Sequence, residues 1–532
     1  MAAGSSNFAS PCRLRRLEAA AAAESHSPHP SWPRRMSCIL VVDIGSSSTR
    51  CVAYDLEARM LEGSLFQDKS LGLTAEATMD SNEVVGKTEG VIAQCIEWCR
   101  EHGWAKIQGL GIDSFALSFL GINGSGEACT PCFTYADARP DEFAQQLREK
   151  LGANGQEEAY ERTGTVIHSS YAPAHYLRIC AQEGNVAAGV AQWRTLGAHI
   201  IARLSGRGLR TPIGYSEASW TGMLNRHTLQ WDATLCAAVG LPLSQLPPLA
   251  DFDDVLPFAD SWREQFPELS EAGIFMALGD GAAANVGSGA IDSRFVCVTV
   301  GTSAAMRCVI QSSTPPQLPP GLWNYRISRD RHLIGGALTD AGSLYQWYSS
   351  TLAGGGSDEL WDKVENLAPD AHGLTVLPFL SGERATGWRG DATLTMHGIT
   401  RATEPQHMIR AGMEAVVLRL GEIMKRLEGL VDSDSKLVAA GGPLENVPLW
   451  GRMISDVTGK TVQLMDALEV TSRGVAVLMC ESINGHPPPP AGVKDEILPN
   501  ADANAAYTAA LSRNNALYND IYPTKTTATA KL

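Results

Sequence analysis

Two stretches of this chain are built to hold phosphate, and one aspartate between them is placed to take a proton from a hydroxyl. Residues 38–55 read CILVVDIGSSSTRCVAYD and residues 295–310 read FVCVTVGTSAAMRCVI. Each is an apolar, β-branched run, then Gly with small hydroxyl residues, then a second apolar run: strand, tight turn, strand. Such a turn aims backbone N–H groups and Ser/Thr hydroxyls at phosphate oxygens. The candidate donors are Gly45, Ser46, Ser47, Ser48 and Thr49 in the first turn and Gly301 and Thr302 in the second. Arg50 either offsets developing charge or is a solvated strand residue. Neither turn is a Walker loop, because no Gly-Lys-Ser/Thr follows and the next element is a strand. One hairpin would be an ordinary turn. Two, each opening half of the chain, imply a duplicated domain with a nucleoside triphosphate between the halves.

Asp280 lies in Gly279-Asp280-Gly281, where the flanking glycines let a hydroxyl approach closely. It is the candidate general base, with a helix cap for the segment from Ala282 as the other reading. Asp43 ends a buried run directly at the first phosphate turn, where an Asx-turn acid would also fit.

Stepping outward, residues 81–102 carry apolar side chains at helical spacing, and residues 107–120 form a buried apolar run with Asp113 and Ser114 at its carboxyl end. Ligands of open α/β sheets bind at that end of the strands. Helices are expected over residues 191–204, 447–458 and 471–480, and a strand over residues 436–442 leads into a Gly turn. The boundaries follow: a disordered or transit-like leader over 1–36, an N-terminal domain over 37–290, a C-terminal domain over 291–490, and a partly frayed extension over 491–532.

At 532 residues the chain exceeds what one hydrophobic core supports. Its 44% apolar content and 51 glycines suit a turn-rich α/β protein. No apolar run approaches the roughly 20 residues needed to span a bilayer. A net charge of −15 disfavours nucleic acid and anionic membranes as partners. The twelve cysteines are scattered. The CxxC of Cys129 and Cys132 has no second half and reads as structural, and Cys95 and Cys99 read as helix packing. This usage fits a reduced compartment and a cytoplasmic protein. The leader holds five arginines and two acids, so a plastid or mitochondrial address is the alternative, while Met36 would serve as a second start.

Taken in order, VVDIGSSSTR, TYADAR, TGTVIH, EASWTG, GDGAAANVGSG, TVGTSAAMR, DAGSLYQW, PFLSGERATGWRGDAT and AAGGPLEN resemble the FGGY family of carbohydrate kinases from about residue 38 to residue 485. The resemblance implies an α/β fold of two ribonuclease-H-like (actin-like ATPase) domains, with ATP in the cleft and transfer of its γ-phosphate to a sugar-type hydroxyl. It implies Asp280 as catalytic base and Asp43 as the residue serving Mg²⁺ of Mg-ATP, through water. Gly301 and Thr302 match β/γ-phosphate contacts, and Gly342 and Gln346 match positions near the nucleotide, although Gln346 also suits a solvent-facing helix position. Gly441, Gly442 and Asn446 match adenosine contacts, or are ordinary strand–turn–helix residues.

Substrate identity follows from departures within the pattern. Glycerol kinases carry an Arg-Glu pair where this chain has Ser114-Phe115, which counts against glycerol. TGTVIH is more like the gluconate kinases, so gluconate leads and D-ribulose or D-xylulose comes next. Asp113, Ser114, Asp137, His168 and Asp280 are the candidate substrate contacts. Asp137 would equally pair with Arg139, His168 would equally be structural, and Arg384 and Arg389 either bind an acid or order their loop. The expected partner is a small sugar or sugar acid, and a homodimer is compatible with the chain. The rival class is an actin-like ATPase switch, or a nucleotide-binding pseudokinase, with no small acceptor.

Overall fold

The computed structural model describes residues 36–523, apart from residue 105, residues 440–443 and residues 445–446. The leader over 1–35 and the adenosine candidates Gly441, Gly442 and Asn446 therefore lie outside the described residues.

Both phosphate hairpins form, and each stands at the same place in a seven-stranded sheet. In the first sheet, strand Ser37–Ile44 pairs antiparallel with Thr49–Tyr54 on one side and parallel with Lys106–Ser114 on the other. In the second, Phe295–Val300 pairs antiparallel with Ala304–Gln311 and parallel with Lys436–Ala439. The inner strands are buried on both faces, as β-branched runs without polar alternation require. Helix Ser81–Glu101 covers the first sheet. Asp80 accepts from the N–H groups of Asn82 and Glu83, and Val84, Val91, Ile92, Cys95, Ile96 and Cys99 are buried. Cys95 and Cys99 thus serve as packing, as read, with Cys99 Sγ 3.9 Å from Cys38 Sγ. The long helix Pro405–Leu427 fills the same place in the second half.

Three expectations are corrected. The buried run at 107–120 is not one strand: it ends at Ser114, turns through Leu117 at φ 66°, and resumes as Leu120–Ile122. The expected helix over 191–204 begins as a strand, Gln192–Arg194, because Leu120–Ile122 pairs with it antiparallel before Leu196–Ser205 turns helical. Residues 491–523 are part of the second domain, not an appended extension. Gly492–Ile497 adds an edge strand to Val462–Asp466, and helix Ala501–Ile521 seats Tyr507 and Ala510 in the domain core.

The two halves interlock at two places. Helices Asp280–Gly287 and Val470–Asn484 cross at Gly287 and Gly474. A Cβ at either position would collide with the other helix's backbone, at the Val470 and Ala283 carbonyl oxygens respectively. Helix Val470–Asn484 also lies against the first sheet, where Ser472 Oγ meets Tyr54 Oη at 2.7 Å. At the other place, strand Trp323–Ser328 docks on the first half. Arg326 N–H donates to Ser219 Oγ at 2.9 Å, and the Tyr171 and Tyr325 hydroxyls share a hydrogen bond of 2.7 Å.

Candidate active site

A cavity of about 870 Å³ opens between the halves and is lined from both. It gathers Asp137, His168 and Asp280 from the first half with Thr302 from the second, four of the residues marked by sequence. A space of this size suits a small-molecule ligand.

Asp280 is the first residue of helix Asp280–Gly287, not the centre of a free turn. Its flanking glycines have a reason other than access. A Cβ at Gly279 would enter the Trp220 ring, and one at Gly281 would come 2.9 Å from Arg307 Nη1. Asp280 Oδ1 accepts from Gly281 N–H at 2.6 Å. Burial pushes this carboxyl up to about 6, against the pull of the Arg307 guanidinium and of the Gly281 and Ala116 N–H groups, with the Asp43 charge adding to the rise. A carboxylate poised there is ionised at neutral pH yet basic enough to take a proton.

The first hairpin turn is closed by Gly45 N–H donating to the Ser48 carbonyl at 2.9 Å. Ser46 and Ser47 lie at its tip, and Ser48 Oγ accepts from Gln67 at 3.2 Å. Thr49 departs from expectation: its hydroxyl is buried against Thr88 Oγ1 at 3.3 Å, behind the sheet. Arg50 is bound twice, to Asp43 Oδ2 at 2.9 Å and to Glu469 Oε2 at 2.9 Å. It is neither a solvated strand residue nor a free cation.

Asp43 stands opposite Asp113 in the parallel register of their strands. Neither Asp113 oxygen meets an N–H or O–H donor of the described residues. Burial, with the Asp43 and Asp280 charges, holds the Asp113 carboxyl well above the usual range. Burial also raises Asp43, although Arg50 opposes it. Two acids side by side, with a guanidinium bound to only one of them, raise each other's affinity for a proton.

Asp113 and Ser114 do not line the cavity. Both are wholly buried, and Ser114 Oγ donates to Glu217 Oε1 at 3.3 Å. The wall in front of them is Ala116 and Leu117, placed by the turn that ends the strand. Glu217, in the EASWTG segment, is buried and pushed up to about 7 by that burial. Gly197 leaves it room, since a Cβ there would lie 2.6 Å from Glu217 Oε1.

Asp137 reaches the cavity but is already engaged. Arg139 grips both its oxygens, at 2.8 and 2.7 Å, and His175 lies 3.9 Å away. Burial opposes its charge, yet the Arg139 hydrogen bonds hold it below the ordinary carboxylate range. The ion-pair alternative for Asp137 is the one that forms. Arg389 likewise pairs with Asp391 at 2.9 Å, in the loop-ordering role.

His168 is different. Its Nδ1 accepts the Ser170 N–H at 3.2 Å, which leaves the proton on Nε2 as a donor. Burial, with Arg384 and Arg148 nearby, lowers it to about 3, so the ring stays neutral. Arg384, in the GERATGWRGD segment, lines the same cavity and makes no ion pair among the described residues.

In the second hairpin, Gly301 N–H donates to the Ser303 carbonyl at 2.8 Å. The turn then docks on the next helix: Ala341, Gly342 and Ser343 donate to the Thr302, Gly301 and Thr302 carbonyls at 2.9, 2.8 and 3.1 Å. Gly301, Thr302 and Gly342 are thereby brought together, while Gln346 sits on the exposed face of helix Gly342–Thr351.

Sequence reasoning missed Arg307, which lines the cavity beside Asp280. A charged residue inside the buried strand AAMRCVI was the signal available. Elsewhere, Asp370, His372 and Glu414 approach one another closely enough to hold a metal ion. Arg410 and Tyr507 bind Glu414 at 2.6 and 3.0 Å, and Arg513 binds Asp370 at 2.6 Å, so this group is a satisfied ion-pair network.

The chain matches the FGGY family of carbohydrate kinases, N-terminal domain, over residues 38–287, and the C-terminal domain of that family over residues 296–482. It is 26% identical to a gluconokinase of Bacillus subtilis (strain 168) over 466 residues, covering 83% of this chain and 87% of that protein. It is 27% identical to a glycerol kinase of Alkalilimnicola ehrlichii over 471 residues, covering 84% and 90%. Its fold is similar to that of ligand-bound xylulose kinase from Lactobacillus acidophilus, with TM-score 0.83 and 21% identity over 92% of this chain and all of that one. Gluconate kinase from Lactobacillus acidophilus gives TM-score 0.82 and 22% identity over the same shares.

Proposed function

The chain belongs to the FGGY family of carbohydrate kinases, an ATP-dependent phosphotransferase built on two actin-like domains, and on that premise we propose that its acceptor is a sugar acid, with D-gluconate first. D-Ribulose and D-xylulose come next. The observation that carries this reading is the second guanidinium of the cavity, that of Arg384, beside His168. Arg384 faces the cavity without a carboxylate partner, next to the neutral His168, whose Nε2–H donates to an acceptor oxygen. A guanidinium and a ring N–H together suit a carboxylate flanked by a hydroxyl. Glycerol offers no such group.

In transfer, Asp280 takes the proton of the attacking hydroxyl while its oxygen bonds to the γ-phosphorus and the bond to the ADP oxygen breaks. Helix placement and the Trp220 ring hold Asp280 in position. The phosphates lie toward Gly301 and Thr302, and the acceptor lies toward His168 and Arg384. The residues fit Mg²⁺ as well. Asp43, at the strand end beside the first turn, offers a hard oxygen that would serve the ion through water, while Asp113 stands behind it with no hydrogen-bond donor among the described residues. Mg²⁺ held near Asp43 supplies charge neutralisation for the β- and γ-phosphates.

The test is ADP release from Mg-ATP with D-gluconate, other aldonates, D-ribulose, D-xylulose and glycerol. Gluconate is expected to give the highest kcat/KM, and Arg384→Gln to raise the KM for gluconate while sparing that for ATP. A preference for a neutral pentulose over every aldonate would overturn the acid reading. Acceptor-independent ATP hydrolysis, with silence across the panel, would favour a switch.

A further inference from the structure

We propose that Arg307, and not Arg50, is the cation that neutralises the phosphoryl group as it passes from ATP to the acceptor. The inference rests on the kinase reading but not on the identity of the sugar.

Phosphoryl transfer spreads negative charge over three equatorial oxygens and the leaving oxygen, and a guanidinium aimed there lowers the barrier. The first hairpin offers Arg50 for this, but its guanidinium is committed to Asp43 and Glu469 in a pair of ion pairs. To serve the phosphate it would have to leave one of two carboxylates uncompensated. Arg307 carries no such commitment. It is only 9% exposed, its Nε has no hydrogen-bond partner, and it makes no ion pair among the described residues. The hydrogen bond it does make, Nη2 to Thr299 Oγ1 at 3.1 Å, goes to a neutral hydroxyl that also lines the cavity.

Its position is built by the surrounding chain. Arg307 lies on strand Ala304–Gln311, directly after the phosphate turn that carries Gly301 and Thr302. Its Cα partner on the next strand is Gly335, where a Cβ would come 2.8 Å from Arg307 Cγ. On the other side lies Gly281, whose missing side chain leaves Nη1 its space beside Asp280. Two glycines on different elements therefore clear a path for one arginine. The Asp280 carboxyl feels its charge. The guanidinium thus stands between the base that takes the proton and the turn that holds the phosphates, and that is the line along which the phosphoryl group moves.

The step balances without a further reagent. The acceptor oxygen bonds to the γ-phosphorus, its proton goes to Asp280, and the bond between phosphorus and the bridging oxygen breaks with its electron pair leaving on ADP. Arg307 donates N–H groups to the equatorial oxygens throughout and is unchanged at the end.

The experiment compares the full-length protein with Arg307→Gln and Arg307→Lys, using two readouts. One is affinity for Mg-ADP with and without aluminium fluoride, a planar mimic of the phosphoryl group that needs no knowledge of the sugar. Wild type is expected to bind the fluoride complex far more tightly than Mg-ADP alone. R307Q is expected to lose that gain while keeping its affinity for Mg-ADP, which also shows that it is folded. The other readout is turnover with the best acidic and the best neutral acceptor. R307Q should lower kcat by about 10²–10³-fold for both, with KM for ATP nearly unchanged, and R307K should recover part of it. A fluoride gain that survives in R307Q overturns the proposal. So does a loss confined to acidic acceptors, which would assign Arg307 to the substrate carboxylate. Absence of any acceptor in the panel would count against the proposed function alone, since the fluoride measurement still decides the role of Arg307.

Discussion

Replacing Asp280 with Asn should destroy activity and make the protein more stable. The carboxyl is raised from 3.8 to about 6, chiefly because burial penalises its charge. A folded-state value above the unfolded one means that the native protein binds this proton more tightly. Stability from this residue is therefore greatest at low pH, falls as pH rises between about 4 and about 6, and is constant above that. A shift of about two units corresponds to roughly 3 kcal/mol of penalty at neutral pH and above. Asn removes the charge and keeps an oxygen to accept the Gly281 N–H. At about pH 8 the variant should gain up to that amount, and at about pH 5 only about half of it. For a domain of about 250 residues each kcal/mol raises Tm by about 2–4 °C. Calorimetric melts of wild type and D280N at both pH values give the comparison, and kcat should fall by about 10²–10⁴-fold with Mg-ATP affinity retained. A variant that melts below wild type at pH 8, or whose advantage is equal at the two pH values, would refute the burial argument. One that keeps more than half of wild-type kcat would show that Asp280 is not the base.

The base should also show in the pH profile. Since Asp280 must be ionised to accept a proton, kcat/KM should fall about tenfold per pH unit below about 6, and an acid limb that begins only near 4 would contradict its placement. Gly474→Val should separate the halves, because the new side chain meets the Ala283 carbonyl oxygen where two helices cross. Overpacking against a backbone costs at least about 1–3 kcal/mol, so an unchanged Tm would refute the crossing as a fixed joint. The cleft should shut on its ligands, because Asp280 and His168 lie on one wall and Thr302 and Arg384 on the other. Small-angle scattering should record a smaller radius of gyration with gluconate plus a non-hydrolysable ATP analogue than without them, and an equal radius would mean a preformed cleft.

The architecture was readable because its signals are local. The apolar runs around Gly45 and Gly301 announce two hairpins, and the periodicity over residues 81–102 announces the helix that covers the first. What residues 107–120 could not show is that Leu117 turns the chain, since that turn rests on a pairing with Gln192–Arg194 far along the sequence. The same limit applies at the site. Residue type and spacing marked Asp280 and His168, but whether a charge is free or spent depends on partners that only the fold supplies. Asp137 meets Arg139 two residues away, so its ion pair could be weighed from sequence. Arg50 meets Glu469 across the whole chain, so its occupation could not.

That difference also explains how two copies of one hairpin come to do unlike work. Both offer a Gly turn, hydroxyls and an arginine on the second strand, Arg50 in one and Arg307 in the other. In the first copy, two acids stand together at the strand ends, Asp43 and Asp113, and Arg50 compensates them, with Glu469 completing the set. A pair of buried acids without that cation would be strongly destabilising. In the second copy the position that matches Asp43 is Thr299, which lies opposite Ala305 and carries no charge. Its arginine accordingly makes no ion pair among the described residues, and it turns to the cleft a guanidinium held only by the Thr299 hydroxyl. The substitution of a hydroxyl for a carboxylate at one strand end is thus what divides the two turns: one gathers oxygen ligands suited to a cation, and the other presents a cation suited to phosphate.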